Sequence, residues 1–251
     1  MQIIENIAYG KQEEQILDLF LPEGEGFTAF VYFHGGGLEK RGADKTKGRM
    51  MAEYLADKGI AAVCAEYRKY PQAAYPDFLR DAAAAVGWTY ENITRYGGNR
   101  KLVIGGSSAG AYASMMLCFD KRWLAPYRLP EGVILGYYHD AGQPTVHANV
   151  LRERGLDPRR VVIDETAPIY HIGEAEAYPP MHFVISDEDI PGRYEQTMLI
   201  MAALRHFGYD MRKVSYQLVH GKHTAYVRAV DSDGKSLYGK MICDFLSPLC
   251  F

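Results

Sequence analysis

Ser108 stands at the centre of Gly106-Ser107-Ser108-Ala109-Gly110, a G-x-S-x-G pattern. A serine hydroxyl is a weak nucleophile at neutral pH and needs a neighbouring base to take its proton. The pattern alone is common in glycine-rich chains, so its setting carries the weight. It follows a short apolar run at 102–105 and opens a stretch from 109 to 119 that reads as a helix. A strand turning sharply into a helix pushes the central side chain off the sheet, and the helix start offers free N–H groups to an anion. A second pattern, His34-Gly35-Gly36-Gly37, follows the aromatic run FTAFVYF. Consecutive glycines lose much backbone entropy on folding and make sense where bare amides must approach a substrate. The amides of Gly36 and Gly37, with that of Ala109, suit the negative oxygen of a tetrahedral intermediate. His34 reads as a structural residue of that loop. A phosphate-binding loop would need a Lys-Ser or Lys-Thr ending or G-x-G-x-x-G, and Leu38-Glu39-Lys40 offers neither.

Acid and base candidates lie downstream. Asp187, Glu188 and Asp189 follow the apolar run MHFVIS, and His220 and His223 follow VSYQLV. A serine, then a carboxylate, then a histidine, each after a strand, is the chain order of a nucleophilic triad in an α/β sheet. The residues alone leave open which carboxylate and which histidine serve. The same His and Asp side chains lack the third strong ligand of a hydrolytic metal site, so no metal is expected, and acyl transfer through a serine needs no cofactor. Tyr138 and His139, just after the run VILGY, leave that strand toward the same sheet edge and are candidates for substrate contact.

The elements that must position these residues alternate in type. Strands are expected at 27–33, 60–65, 102–105, 133–137, 181–186 and 214–219. Helices are expected over 44–58, around Leu79, Ala82, Ala83 and Val86, over 109–119 and over 193–207. Repeated βα units predict an α/β fold, a mostly parallel central sheet with helices on both faces. Residues 3–9 and 15–21 read as an antiparallel hairpin at one edge. The stretch 138–178 holds one short helical pattern, turns and prolines; it is too long for an ordinary loop and reads as a cap inserted over a site. The expectation is a single domain over 1–251 with that insertion.

Composition narrows the function classes. With 251 residues, 48 % hydrophobic and 24 % charged, the chain is of globular type, and its net charge of −3 argues against a nucleic-acid partner. No stretch approaches the ~18 apolar residues of a membrane span, and the first twenty residues lack a secretory pattern. Cys64, Cys118, Cys243 and Cys250 show no metal-ligand spacing and read as reduced thiols, so a cytoplasmic location is expected.

With both glycine motifs, the chain resembles the α/β-hydrolase family, especially its hormone-sensitive-lipase-like esterase branch. Glu66-Tyr67-Arg68, Tyr75-Pro76, Asp81 and Tyr96-Gly97-Gly98-Asn99 also look like that branch, and similarity to bacterial acetyl, feruloyl and acetylxylan esterases extends more loosely to the carboxyl end. Ser107 departs from the acidic residue or glutamine usual there, and the cap is unlike the branch's long helical amino-terminal one. The resemblance implies Ser108 as nucleophile, Asp189 rather than Asp187 as acid, and His223 rather than His220 as base. It implies a carboxylic-ester hydrolase acting on short or medium acyl esters, acetyl or feruloyl groups on carbohydrates among them. The competing expectations are a serine peptidase on the same fold and a non-catalytic binding protein that keeps it.

Overall fold

The computed structural model describes residues 1–250. Eight strands form one sheet in the order β1-β2-β4-β3-β5-β6-β7-β8. They are β1 (Gln2–Ala8), β2 (Ile16–Leu21), β3 (Phe27–Phe33), β4 (Ala61–Ala65), β5 (Gly98–Ser107), β6 (Ile134–Asp140), β7 (Met181–Glu188) and β8 (Val214–Lys222). β2 runs antiparallel to both its neighbours, and the pairings from β4 through β8 are parallel. The helices are α1 (Arg49–Asp57), α2 (Asp77–Asn92), α3 (Ala109–Phe119), α4 (Ala148–Glu153), α5 (Arg193–His206) and α6 (Leu237–Cys250).

The alternation along β3 shows why helices cover both faces. Phe27, Ala29, Val31 and Phe33 join the core under α2, α3 and α5, whereas Phe30 and Tyr32 join the core under α1 and α6. A strand apolar on both sides cannot leave either face in water. β3 lies between β4 and β5, so the chain leaves it in opposite lateral directions around this point. Such a switch opens a crevice beyond the carboxyl ends of the strands, where open α/β sheets bind ligands.

Three details differ from the sequence reading. β5 to β8 extend past their apolar runs into polar residues, because ladder pairing continues beyond the core. Helix α6 has no counterpart in that reading; Gly239 and Pro248 interrupt its apolar pattern. The insertion begins later than residue 138, because Tyr138, His139 and Asp140 complete β6 and pair with β5 and β7. Between β6 and β7 the chain forms α4 and a single 3₁₀ turn, Pro168–His171, and lies against α3 through the Tyr112 hydroxyl, which donates to the Thr166 carbonyl at 2.7 Å.

Candidate active site

Ser108 occupies the turn between β5 and α3 with φ 54° and ψ −113°, a backbone state that costs a non-glycine residue energy. Glycines on either side make this turn fit. A Cβ on Gly110 would lie 1.9 Å from the Phe33 carbonyl oxygen, and one on Gly106 would lie 2.4 Å from the Gly110 backbone. The turn therefore packs directly against the end of β3. The Ser108 N–H donates to the Asp140 carbonyl at 2.7 Å, which fixes the elbow to the end of β6.

The loop after β3 is held from below. His34 Nε2 lies 2.9 Å from Glu66 Oε1, its ring stacks on Tyr67 at 4.6 Å, and the Tyr67 hydroxyl donates to the His34 carbonyl at 2.6 Å. Lys69 Nζ also reaches Glu66 Oε1 at 2.7 Å, and the Lys45 N–H donates to its other oxygen at 3.2 Å. Burial pushes the Glu66 carboxyl up, but the hydrogen bonds and charge of His34 and Lys69 outweigh it and bring it down to about 2. Gly36, at φ 113°, passes so close to Ala43 that a Cβ would meet the Ala43 nitrogen at 2.7 Å. Asn149 on α4 donates to the Gly37 carbonyl and to Glu39 Oε1, so the insertion grips the same loop from above. Ala109 is the first residue of α3, where an N–H has no acceptor within its own helix. Gly35, Gly36, Gly37 and Ser108 line one cleft of about 470 Å³.

The loops after β7 and β8 bring a carboxylate and an imidazole to Ser108. His223 Nε2 lies 2.9 Å from Ser108 Oγ, and His223 Nδ1 lies 2.6 Å from Asp189 Oδ1. The Ile190 N–H also donates to Asp189 Oδ1 at 2.7 Å, and the Ser186 N–H to Oδ2 at 3.3 Å. Burial pushes the Asp189 carboxyl up; His223 and these two amides outweigh it, so it stays below the usual carboxylate range. Asp187 and His220 form a separate exposed pair at 2.8 Å. Ser108, Asp189 and His223 are thus brought together, and Asp187 and His220 stand apart from them.

Tyr138 and His139 lie elsewhere than expected. Their side chains are 0 % and 1 % exposed, Tyr138 packing against Phe30, Tyr238 and Phe245 and His139 against Phe119 and Phe183 on opposite faces of the sheet. Being inside β6 rather than beyond it, they point into the two cores and not toward the cleft.

Two buried polar residues lie on the elements that carry the site, outside the cleft lining. Asp140, fully buried at the end of β6, accepts from the Tyr226 hydroxyl, and burial pushes its carboxyl up to about 6 despite that bond. Arg193, at the start of α5, is 7 % exposed, and its Nε and Nη1 find no hydrogen-bond partner among the described residues. Glu66 was legible only through the family resemblance; Asn149, Asp140 and Arg193 belong to no motif.

The fold matches known structures over nearly its whole length. An esterase of Thermogutta terrifontis superposes with a TM-score of 0.74 at 22 % identity, covering 97 % of this chain and 91 % of that one. A truncated carbohydrate esterase from gut microbiota superposes with a TM-score of 0.75 at 16 % identity, covering 99 % and 96 %. Residues 17–124 match the BD-FAE family model. The chain has the α/β-hydrolase fold. Among curated relatives, a probable isoprenylcysteine α-carbonyl methylesterase of Oryza sativa is 34 % identical over 113 residues, 44 % of this chain. The esterase LipC of Mycobacterium tuberculosis is 24 % identical over 224 residues, 79 % of it. The matched part spans 26 % of the first relative's length and 54 % of the second's. No helix among the described residues is long and apolar enough to cross a membrane.

Proposed function

We propose that this protein, with its α/β-hydrolase fold, is a serine carboxylesterase that works through an acyl-enzyme on short or medium acyl esters. The observation that carries the reading is the unbroken chain from Ser108 Oγ through His223, at 2.9 Å, to Asp189, at 2.6 Å. In this reading His223 accepts the Ser108 proton as the hydroxyl attacks the ester carbonyl. Asp189 holds the ring with Nδ1 protonated and stabilises the imidazolium. The carbonyl oxygen, now negative, turns toward the amides of Gly36, Gly37 and Ala109, which need no reorganisation to receive it. His223 returns its proton to the leaving alcohol, and water repeats the cycle on the acyl group.

Acetyl or feruloyl groups on carbohydrates fall within this class, in keeping with the carbohydrate esterase and BD-FAE likenesses. The segment after β6 serves as a cover of the single domain, since Asn149 from it holds the glycine loop. The four cysteines are unpaired, which suits a reducing compartment such as the cytoplasm.

The test is labelling with a fluorophosphonate probe, followed by peptide mapping and hydrolysis of p-nitrophenyl acetate. The label should fall on Ser108, and Ser108→Ala should lose both labelling and hydrolysis with an unchanged melting temperature. Full hydrolysis by that variant would overturn the assignment.

A further inference from the structure

The cleft that holds Ser108 and His223 is charged in one sense only. Lys47 and Arg228 line it, and no Asp or Glu does. Lys47 is half-buried and Arg228 exposed, and neither forms an ion pair with a carboxylate among the described residues, whereas the buried Lys45 binds Asp18 at 2.6 Å and the buried Lys69 binds Glu66 at 2.7 Å. The carboxylates around them are already engaged: Asp231, three residues after Arg228, accepts from the Asp233 and Lys235 N–H groups, each at 2.9 Å. Asp44 caps the turn that carries Lys47 by accepting from the Thr46 N–H at 3.0 Å, Asp189 is bonded to His223, and Asp187 faces His220. Outside the cleft lining, the buried guanidinium of Arg193 leaves Nε and Nη1 without a hydrogen-bond partner among the described residues.

Cations left unpaired in a concave site keep their field directed into the cavity, where the low-dielectric walls concentrate it. An ammonium and a guanidinium together favour a compact oxyanion, since the guanidinium offers a planar fork of donors and the ammonium a mobile point charge. We propose that the ester taken by this cleft carries an anionic group, a carboxylate or a phosphate, which Lys47 and Arg228 hold while Ser108 attacks the ester carbonyl. The proposal rests on the serine-esterase reading and narrows its substrate class.

The experiment compares anionic esters with their neutral isosteres at low salt. On the acyl side the pair is mono-4-nitrophenyl glutarate and its terminal amide. On the alcohol side it is 4-acetoxybenzoate and 4-acetoxybenzamide, with 4-acetoxyphenyl phosphate as the phosphate arm against phenyl acetate. Each kcat/KM is divided by the rate of alkaline hydrolysis to remove intrinsic reactivity. At least one anionic ester should be favoured by about tenfold or more. Which arm shows the preference tells whether the anion lies on the acyl or the alcohol part and whether it is a carboxylate or a phosphate. The preference should shrink severalfold between ~20 mM and ~500 mM NaCl as the charges are screened. Lys47→Gln and Arg228→Gln should each bring the ratio toward one, and Arg228→Glu should invert it. A ratio near one in every arm, in a wild-type enzyme that hydrolyses the neutral esters and labels at Ser108, overturns the anion proposal and leaves the esterase reading standing. Failure of the neutral esters and of labelling overturns the esterase reading itself.

Discussion

Asp189 Oδ1 lies 2.6 Å from Nδ1 of His223, and Asp187, two positions earlier, faces away from that ring toward His220. The two acidic residues are alike in sequence but not in setting. The Asp189 side chain is 3 % exposed and that of Asp187 38 %. A buried carboxylate orients an imidazole, whereas an exposed pair adds little. Asp189→Asn should therefore lower kcat by about 10³–10⁴-fold, because an amide cannot stabilise the imidazolium. Asp187→Asn should change it less than about threefold. Steady-state kinetics on p-nitrophenyl acetate decides, and the reverse ranking would assign the acid to Asp187.

The elbow makes a prediction about packing rather than chemistry. A methyl group on Gly110 would lie 1.9 Å from the Phe33 carbonyl oxygen, which is backbone and cannot swing aside. Gly110→Ala should destabilise the protein by at least about 2–3 kcal/mol. A methyl on Gly132, with nothing within 4 Å, meets only the cost of its φ of +72°. Urea unfolding of the two alanine variants separates them; equal midpoints would mean that the elbow is not tightly seated.

Much of this site was legible because its chemistry is local to two short motifs. G-x-S-x-G and the triple glycine each mark a strand end, and their glycines are required by contacts with Phe33 and Ala43. The proposed acid and base were harder. Asp187 and Asp189 follow the same strand, and the choice between them depends on how β7 runs on to Glu188 before the chain turns. Pattern reading ends a strand where apolar residues end, which is also why Tyr138 and His139 were expected at a rim and lie within β6. Asn149 and Glu66 could not be found from spacing, since each acts on a loop more than thirty residues away.

Glu66 links the glycine loop to pH. Its carboxyl is at about 2 in the folded protein against an ordinary 4.5, so the folded state holds the proton less tightly than the unfolded chain. The stability this contributes is complete above pH 4.5 and is lost as pH falls toward 2. A shift of this size corresponds to about 3 kcal/mol. Glu66→Gln should flatten the fall in stability over this window while lowering stability at neutral pH, where His34 and Lys69 lose their partner. Denaturant unfolding at a series of pH values measures both effects, and an unchanged acid slope would remove Glu66 as its source.

Asn149 offers a way to disturb the glycine loop without touching Ser108, Asp189 or His223. Its amide donates to the Gly37 carbonyl and to Glu39, so it fixes the peptide plane that follows Gly37 from the covering segment. Releasing that plane misaims a nearby amide by a few tenths of an ångström, which weakens a bond made strongest in the transition state. Asn149→Ala should then lower kcat by about tenfold and leave KM nearly unchanged. Asn149→Asp, which keeps the size but replaces the donor with an acceptor facing Glu39, should be at least as damaging. If instead KM rises with kcat constant, Asn149 contributes to ground-state binding, and the loop is held by His34, Tyr67 and Glu66 alone.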